Sequence, residues 1–326
     1  MKLIHTLVLL ALATASTSPA WSADASDSWP HKPIRLIAPF APASTPDTFA
    51  RVLAEGLRER LGQAVVVENK AGAAGMIGTD FVAKAAPDGY TLGVSAVGPL
   101  VNNAMLYKKM SYDAGRDLQL ITEAVNQPSL LVVRSDMNVA NLAELIADLK
   151  RRPGKANYAS IGNGSLSHLT MELVAARSGT KIVHVPYAGS SQAVMAMISG
   201  DVDMACLPAL AVLPQVKAGK LKVIGVSTAK RSRLLPDIAT LAEQGLADID
   251  AGAWIGVIAP AGLPKPIADK LGKDIAAVLH DPATVKLLEQ QMMEVVGNSP
   301  QEFAQVLKQE HARWKPIIEA NGIVLD

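Results

Sequence analysis

The chain has 326 residues, of which 49% are hydrophobic and only 4% aromatic, and its formal charge is +1. This length provides an ample core for one or two domains, which excludes a disordered chain and a small stapled scaffold. The lack of a basic surplus argues against a nucleic-acid partner or an anionic membrane surface. The single cysteine, Cys206, excludes an intramolecular disulfide framework.

The first residues follow the order of a targeting segment. Lys2 precedes a nearly apolar run over residues 3–15, and small polar residues follow that run. This order is typical of a secretory signal peptide, and the apolar run is shorter than the ~20 residues that a membrane-spanning helix needs. We predict a signal peptide over residues 1–23, with cleavage after Ala20, Ser22 or Ala25, and a mature chain outside the cytoplasm.

From residue 34 onward, short apolar runs alternate with amphipathic segments. In the segment 45–61, for example, Phe49, Leu53 and Leu57 recur at helical spacing. The pattern predicts strands at 34–39, 65–67, 91–94, 130–133, 158–160, 182–185, 204–207, 223–227 and 253–259. It predicts helices at 45–61, 75–86, 141–150, 165–177, 191–198 and 210–218, and three more that begin at Pro264, Pro282 and Pro300. Such alternation predicts parallel α/β sheets, and the length predicts two domains.

The sequence lacks the common catalytic and phosphate-binding motifs. It contains no G-x-S-x-G, no G-x-x-x-x-G-K-[ST] and no H-E-x-x-H. The spacing of Gly72, Gly75 and Gly78 is not that of a dinucleotide loop, and we interpret it as a turn that lets a helix pack closely on a sheet. Ser165 and His168 lie one helical turn apart, which we interpret as a helix cap and a packed histidine, with a secreted hydrolase as the alternative.

Three loops combine a strand end, small residues and a helix start, and we expect them to suit an anion. They lie at 40–47, 160–165 and 185–191. A helix N-terminus offers unpaired N–H groups and a positive dipole end, and ligands of open α/β sheets bind where such loops converge. None of the three loops contains lysine or arginine. Recognition of an anion should therefore depend on backbone N–H groups, hydroxyls and water, without an ion pair.

Several short runs identify a family when they are taken together. They are WPHKPIRLI at 29–37, LGQ at 61–63, VVVEN at 65–69, AGAAGMIG at 71–78, KAAPDGYTL at 84–92, GNGS at 162–165 with HL at 168–169, VPY at 185–187 and GDVD at 200–203. Read in this order, from Trp29 to the C-terminus, the chain resembles the Bug family of periplasmic solute-binding proteins of tripartite tricarboxylate transporters.

The resemblance implies an α/β fold of the two-domain periplasmic binding protein type, a type II-like Venus flytrap in which each domain is a sheet flanked by helices. Domain 1 would comprise residues 29–125 and 228–326, and domain 2 residues 126–227. The implied function is capture of a small mono- or dicarboxylate in the interdomain cleft and its delivery to membrane transporter subunits. A monomer in the periplasm, without catalysis, cofactor or metal, is expected. A receptor that feeds a signalling partner is the related alternative.

The resemblance also implies which residues contact the ligand. The two domain 1 loops at 40–47 and 71–78 would act as pincers, and the facing domain would contribute two loops with helix N-termini. His168 is expected to support the site structurally. The implied ligand-binding residues are Phe40, Ala41, Ala43, Ser44, Thr45, Asp47, Ala74, Gly75, Ser160, Gly162, Gly164, Ser165, Tyr187, Ala188, Gly189 and Asp203.

One loop departs from the family pattern. The family usually has Pro-Gly-Gly before the aspartate of the first pincer, whereas this chain has Pro42-Ala43-Ser44-Thr45-Pro46-Asp47. Loss of both glycines restricts how the backbone can turn its N–H groups toward a ligand, while the two hydroxyls add donors. We therefore expect a different ligand or a different mode of contact at this pincer.

Overall fold

A computed structural model describes residues 29–325. The predicted signal peptide over residues 1–23 lies outside the described residues. Eleven strands are formed within the described part: β1 Ile34–Ala38, β2 Val65–Asn69, β3 Thr91–Ala96, β4 Leu118–Gln127, β5 Ser129–Arg134, β6 Asn157–Ser160, β7 Val183–Pro186, β8 Met204–Pro208, β9 Leu221–Val226, β10 Ala253–Pro260 and β11 Glu294–Val295.

Helices follow most of these strands. Among residues 29–325 they are α1 Thr45–Leu61, α2 Met76–Ala83, α3 Asn103–Leu106, α4 Ala114–Asp117, α5 Leu142–Arg151, α6 Leu166–Ser178, α7 Ser190–Ser199, α8 Ala209–Lys217, α9 Lys265–Leu279, α10 Pro282–Gln290 and α11 Pro300–Ala320. A 3₁₀ turn at Ala73–Gly75 precedes α2, and a π-helical turn at Gly98–Asn102 precedes α3. No helix in this part of the chain is long and apolar enough to cross a membrane.

Local sequence signals explain the boundaries of α1. The Ser44 hydroxyl accepts the N–H of Asp47 at the start of the helix, and Gly62 ends it in a left-handed conformation. Phe49, Leu53 and Leu57 are buried, so one apolar face covers the sheet. The predicted helix at 45–61 is therefore confirmed residue for residue.

The strands form two sheets, and both are mixed. The first has the order β11-β4-β10-β3-β1-β2, and the second has the order β7-β6-β8-β5-β9. Helices flank both sheets, which confirms the α/β class. The prediction of purely parallel sheets is wrong, because β10 runs antiparallel to β3 and β4, and β5 runs antiparallel to β8 and β9. Strand β4, a central strand of the first sheet, was absent from the predicted elements.

The chain crosses between the sheets twice. Pro128 alone separates β4 from β5, and residues 227–252 join β9 to β10. In the first sheet, Gln127 at the end of β4 lies at the same edge as Ala96 at the end of β3, because both pair with the start of β10. In the second sheet, Ser129 pairs with Pro208 at the carboxyl end of β8. The carboxyl edges of both sheets therefore meet at the Pro128 crossing.

Acidic side chains are buried where α11 covers the first sheet. Glu123 of β4 is 6% exposed, and its carboxylate accepts a hydrogen bond from the Asn298 amide at 2.9 Å. Glu310 of α11 is equally buried, and Arg313 of the same helix pairs with Asp250 at 2.9 Å. Burial raises the pKa of Glu123 from 4.5 to about 7, and the nearby charges of Glu310 and Asp250 add to the shift.

We predict that Glu123 makes the protein less stable as the pH rises. The folded chain keeps a proton on Glu123 that the unfolded chain releases between about pH 4.5 and 7, so the free energy of unfolding falls across this window. The loss attributable to Glu123 is up to about 3 kcal/mol. Urea denaturation at pH 5 and pH 8 should show a clearly smaller pH difference for Glu123→Gln than for the wild type.

Glu319→Gln provides the control, because it makes the same change at a glutamate of α11 whose side chain is exposed. It should retain the full wild-type difference between the two pH values. An unchanged pH difference in Glu123→Gln would contradict the assignment.

Candidate functional site

The first loop at the carboxyl edge, residues 40–47, is organised around a buried carboxylate. Asp47 is 2% exposed and accepts hydrogen bonds from the Ala43 N–H at 2.8 Å, the Asn69 amide at 2.8 Å and the Arg51 guanidinium at 2.9 Å. Burial alone would raise the pKa of Asp47, but these hydrogen bonds hold it below its usual value. Asp47 thus fixes the loop, and its oxygens already have partners.

Ala43 takes up a conformation that favours glycine. Its φ is +64°, in the left-handed region, where a Cβ costs roughly 1–2 kcal/mol. The Ala43 N–H points at Asp47 from this conformation. The loop therefore keeps a glycine-like turn although the glycines typical of the family are replaced.

The second loop, residues 71–78, packs against the first. A Cβ on Gly75 would lie 2.9 Å from the Phe40 ring, so the two loops are in direct contact. The Asn103 amide donates to the Ala74 carbonyl at 3.1 Å and holds the turn from the loop that follows β3. A Cβ on Gly78 would lie 2.7 Å from the Pro39 Cα. The interpretation of this glycine run as a close helix-to-sheet contact is thereby confirmed.

The first loop of the second sheet, residues 160–165, leads into α6. Ser165 caps α6, since its hydroxyl accepts the His168 backbone N–H, and it donates to the Gly162 carbonyl at 2.6 Å. The Gly164 N–H donates to His168 Nδ1 at 3.0 Å. The first N–H groups of a helix have no hydrogen-bond acceptor within the helix. The N–H groups of Leu166 and Ser167 are therefore hydrogen-bond donors at the start of α6.

The next loop leads into α7, and this helix has an open N-terminus. Its N-cap is Gly189, which has no side chain to accept from the first turn. The Gln192 side chain does not cap the first turn either, because its Oε1 accepts the Ala188 N–H at 3.0 Å, ahead of the helix. The N–H groups of Ser190 and Ser191 are therefore the first-turn donors for an anion at this edge. α1 differs, because Ser44 caps it and Pro46 lacks an N–H.

The structure brings most of the expected ligand-binding residues to the carboxyl edges, but not Asp203. Asp203 directly precedes β8 and lies beside Asn157 at the amino end of β6, whose N–H it accepts at 3.1 Å. It also pairs with Arg134 at 3.5 Å. Since Ser160 at the other end of β6 is three residues further along, Asp203 is about 10 Å from that edge. We therefore remove Asp203 from the candidate site.

Three other expected residues lie within the loops, but they are buried and already form hydrogen bonds with other protein groups. Ser160 is fully buried, and its hydroxyl contacts His184 Nε2 at 2.6 Å and Gly162 at 3.1 Å. Asp47 and Gly164 are likewise buried with their polar groups paired. These three residues support the loops. Phe40, Ala41, Ala43, Ser44, Thr45, Ala74, Gly162, Ser165, Tyr187, Ala188 and Gly189 keep at least partial exposure.

Two cations close in the chain to the first-sheet loops have other partners. Arg51 pairs with Asp47, and Lys70, which precedes the second loop, lies 4.3 Å from the Phe81 ring and 4.0 Å from Glu68. These two side chains are thus engaged elsewhere, and helix N-termini and hydroxyls remain the expected donors at the edges. Within residues 29–325, no group of three or more His, Cys, Asp or Glu side chains is arranged to hold a metal ion.

Several supporting residues were not anticipated. Asn69 and Asn103 hold the first-sheet loops, and Gln127 accepts from the Thr45 hydroxyl at 3.4 Å. His184 touches Ser160 from the neighbouring strand. The sequence offered a signal for Asn69, because it lies two residues after the predicted strand at 65–67, inside the VVVEN run. The other three depend on tertiary pairing.

The serine and histidine of the possible hydrolase are placed for support. The Ser165 hydroxyl contacts Gly162, Ser167 and the backbone of His168, while the His168 Nδ1 accepts from Gly164. In the described residues, no hydrogen bond joins the Ser165 hydroxyl to the His168 ring. The pair therefore lacks the nucleophile–base contact that acyl transfer requires.

Two α/β sheets joined by two crossings, with small-residue loops where the sheets meet, form the fold of the periplasmic binding proteins. A family model described as the tripartite tricarboxylate transporter family receptor matches residues 49–323. The chain belongs to this family, which is a family of solute-binding receptors. The resemblance to Bug proteins is confirmed.

Individual relatives agree with this membership. Protein BugT of Bordetella pertussis is 36% identical over 317 residues, which cover 96% of this chain and 96% of BugT. A structure of an R. palustris protein with adipate matches with a TM-score of 0.80 at 32% identity and covers 91% of this chain and 99% of that chain. The structure of MatC from Rhodopseudomonas palustris with bound malate matches with a TM-score of 0.76 at 29% identity and covers 89% of this chain and 100% of that chain.

We predict that Ala43→Gly stabilises the protein. Glycine removes the left-handed strain, although its greater freedom in the unfolded chain offsets part of the gain, so the net increase in the free energy of unfolding is up to about 1 kcal/mol. Ala41→Gly is the matched control, because Ala41 is an exposed neighbour without a positive φ and should lose stability. Urea denaturation measures both. If Ala43→Gly lowered the free energy of unfolding as much as Ala41→Gly does, the backbone of Ala43 would not be strained.

Proposed function

We propose that this protein is an extracytoplasmic receptor that captures a small mono- or dicarboxylate and delivers it to a tripartite tricarboxylate transporter. Its family supports the receptor role. Two structural relatives, described with adipate and with malate, support an organic acid as the ligand. The periplasm as its compartment, a monomeric state and a role without catalysis or cofactor belong to the same proposal.

The observation that carries the proposal is the open N-terminus of α7 beside that of α6. The Tyr187 N–H donates to the Ser160 carbonyl at 3.0 Å, so the loop entering α7 is tied to the strand whose loop enters α6. Both helix starts therefore lie at one edge of the second sheet. A carboxylate there accepts N–H groups that no side chain of α7 satisfies, and it interacts favourably with both helix dipoles.

We propose that the two sheets are the cores of two lobes that close on the ligand. One lobe contains β1–β4, β10 and β11, and the other contains β5–β9, with the chain changing lobe at Pro128 and within residues 227–252. The boundary expected between residues 125 and 126 falls two residues early, because Gln127 still pairs with β10 in the first sheet. The loops at 40–47 and 71–78 would contact the ligand from the first lobe, with the hydroxyls of Ser44 and Thr45 as donors. A ligand that contacts both lobes stabilises the closed state by its greater affinity for that state.

We expect malate or adipate to raise the melting temperature of the purified receptor. A ligand that binds only the folded state, at a concentration of 100 times its Kd, adds about 2.7 kcal/mol to the free energy of unfolding. Differential scanning fluorimetry with a panel of mono- and dicarboxylates measures the shift. Amines and neutral sugars of similar size are the control, and stabilisation by them alone would contradict a carboxylate receptor.

Two variants of Ser190 separate the backbone from the side chain at the start of α7. Proline is tolerated at the first helical position, so Ser190→Pro removes the N–H while the helix is kept. Ser190→Ala keeps the N–H and removes the hydroxyl. A charge-assisted hydrogen bond contributes roughly 1.5–3 kcal/mol, so calorimetry with the stabilising acid should show a roughly tenfold or greater loss for Ser190→Pro.

Ser190→Ala should remain within roughly threefold of the wild type, because it retains the backbone donor. Equal affinities of wild type and Ser190→Pro would remove the α7 N-terminus from the site.

A further inference from the structure

Three aromatic rings are stacked beneath the 160–165 loop. The rings of His168 and His184 are parallel, with centroids 3.8 Å apart and planes inclined by 7°. The Tyr158 ring lies beside this pair, 5.0 Å from His184 and 6.3 Å from His168, so that each of the three rings neighbours the other two. The three residues come from three elements, α6, β7 and β6. Tyr158 is fully buried, His168 is 7% exposed and His184 is half-buried, so the three rings lie between the second sheet and α6.

Each imidazole fixes one glycine of the loop. His168 Nδ1 accepts the Gly164 N–H at 3.0 Å. His184 Nε2 contacts the Ser160 hydroxyl at 2.6 Å, and that hydroxyl contacts both the carbonyl and the N–H of Gly162 at 3.1 Å. Gly162 and Gly164 have φ values of +122° and +71°, so the loop follows a path open mainly to glycine. The two histidines therefore hold the two left-handed residues of the loop in place.

Ser160 connects this loop to the next one. Its carbonyl accepts the Tyr187 N–H at 3.0 Å, while its hydroxyl contacts His184. His184 itself lies on β7, three residues before Tyr187, and pairs in register with Tyr158. A shift of His184 would therefore move the start of the α7 loop and the start of the α6 loop together.

The stack requires neutral imidazoles. A protonated His168 could not accept the Gly164 N–H, and two imidazolium rings at this distance would repel each other. Burial, with His184 alongside, lowers the pKa of His168 to about 4, and burial also lowers the pKa of His184. The other ionisable groups that face the stack are Tyr158, on β6, and Glu172, on α6, which accepts the Tyr158 hydroxyl at 2.5 Å.

The remaining face of His168 is turned to the C-terminal segment. Residues 321–325 line a cleft of about 290 Å³ together with His168, Glu172 and Asn163. The segment 321–325 contains no charged side chain. A Cβ on Gly164 would lie 2.9 Å from Leu325 and 2.8 Å from Leu106. The loop is therefore confined from outside by aliphatic side chains and from inside by the histidines.

We propose that His168 and His184 are positioning residues of the ligand site: as a stacked neutral pair they fix the 160–165 loop and link it to the 185–191 loop, so that α6 and α7 point their N-termini at one anion. This proposal depends on the proposed function for the identity of the anion. Its structural core, the hold of the imidazoles on the loop, can be tested without any ligand.

The first experiment compares two replacements of His168 by hydrogen exchange of the Gly164 amide. His168→Asn keeps an acceptor near the position of Nδ1, whereas His168→Phe keeps the ring shape without an acceptor. We expect exchange at Gly164 to be roughly tenfold or more faster in His168→Phe and nearly unchanged in His168→Asn. His311→Phe, at an exposed position, is the control. Equal exchange rates in all variants would overturn the proposal.

A pH titration followed by NMR provides a readout that simple packing would not change. The Gly164 amide resonance of the wild type should shift with a midpoint near pH 4 as His168 becomes protonated. The shift should be absent in His168→Asn. A wild-type resonance that stays constant down to pH 3 in the folded protein would show that His168 does not hold this amide.

The last experiment measures how strongly variants of His168 and His184 bind malate and adipate at pH 7. His168→Phe and His184→Phe should bind roughly tenfold more weakly or worse, and His168→Asn should stay within roughly threefold of the wild type. Unchanged affinity in both phenylalanine variants would refute the link to the ligand. If the wild type binds neither acid, the carboxylate proposal fails, while the exchange and NMR results still decide whether the histidines hold the loop.

Discussion

The crossing of the chain at Pro128 determines where the loops of the candidate binding site lie. Because β4 ends and β5 begins on either side of Pro128, the carboxyl edges of the two sheets face the same junction. Loops that follow parallel strands leave a sheet at its carboxyl edge, so the helix N-termini of both sheets are directed toward one region. Every loop in the candidate site follows from this arrangement, and Asp203 falls outside it because it precedes its strand.

Within this frame, charged side chains near the first loop serve as supports, and we propose that backbone N–H groups recognise the ligand. Asp47 holds the first loop through Ala43, Arg51 and Asn69, and Lys70, just before the second loop, lies 4.0 Å from Glu68. The second sheet uses neutral imidazoles in the same supporting role. The first-turn N–H groups of α6 and α7 are the donors that we propose for an anion. Their directions are fixed by the helices, so they need little reorganisation on binding. The near-zero net charge fits a receptor of this kind.

The sequence predicts the parts of this structure that depend on local signals. A serine cap, a proline in the first turn and a terminal glycine define α1, and strand–small residue–helix patterns locate the three loops. Hydrophobic periodicity does not encode strand direction. Strands β5 and β10, which run antiparallel to their neighbours, were therefore predicted as parallel. Strand β4 was missed because polar residues such as Thr122 and Glu123 interrupt its apolar pattern, and its burial comes from β10 and α11. His184 has no sequence signal, since its role depends on the pairing of β7 with β6.

A crystal structure of the receptor with malate or adipate tests the central claim most directly. We expect a carboxylate within hydrogen-bond distance of the first-turn N–H groups of α7, with α6 alongside and the loops at 40–47 and 71–78 closing over it. No lysine or arginine side chain should contact that carboxylate. An acid clamped by a lysine or arginine, or bound away from the carboxyl edges of the two sheets, would contradict the account.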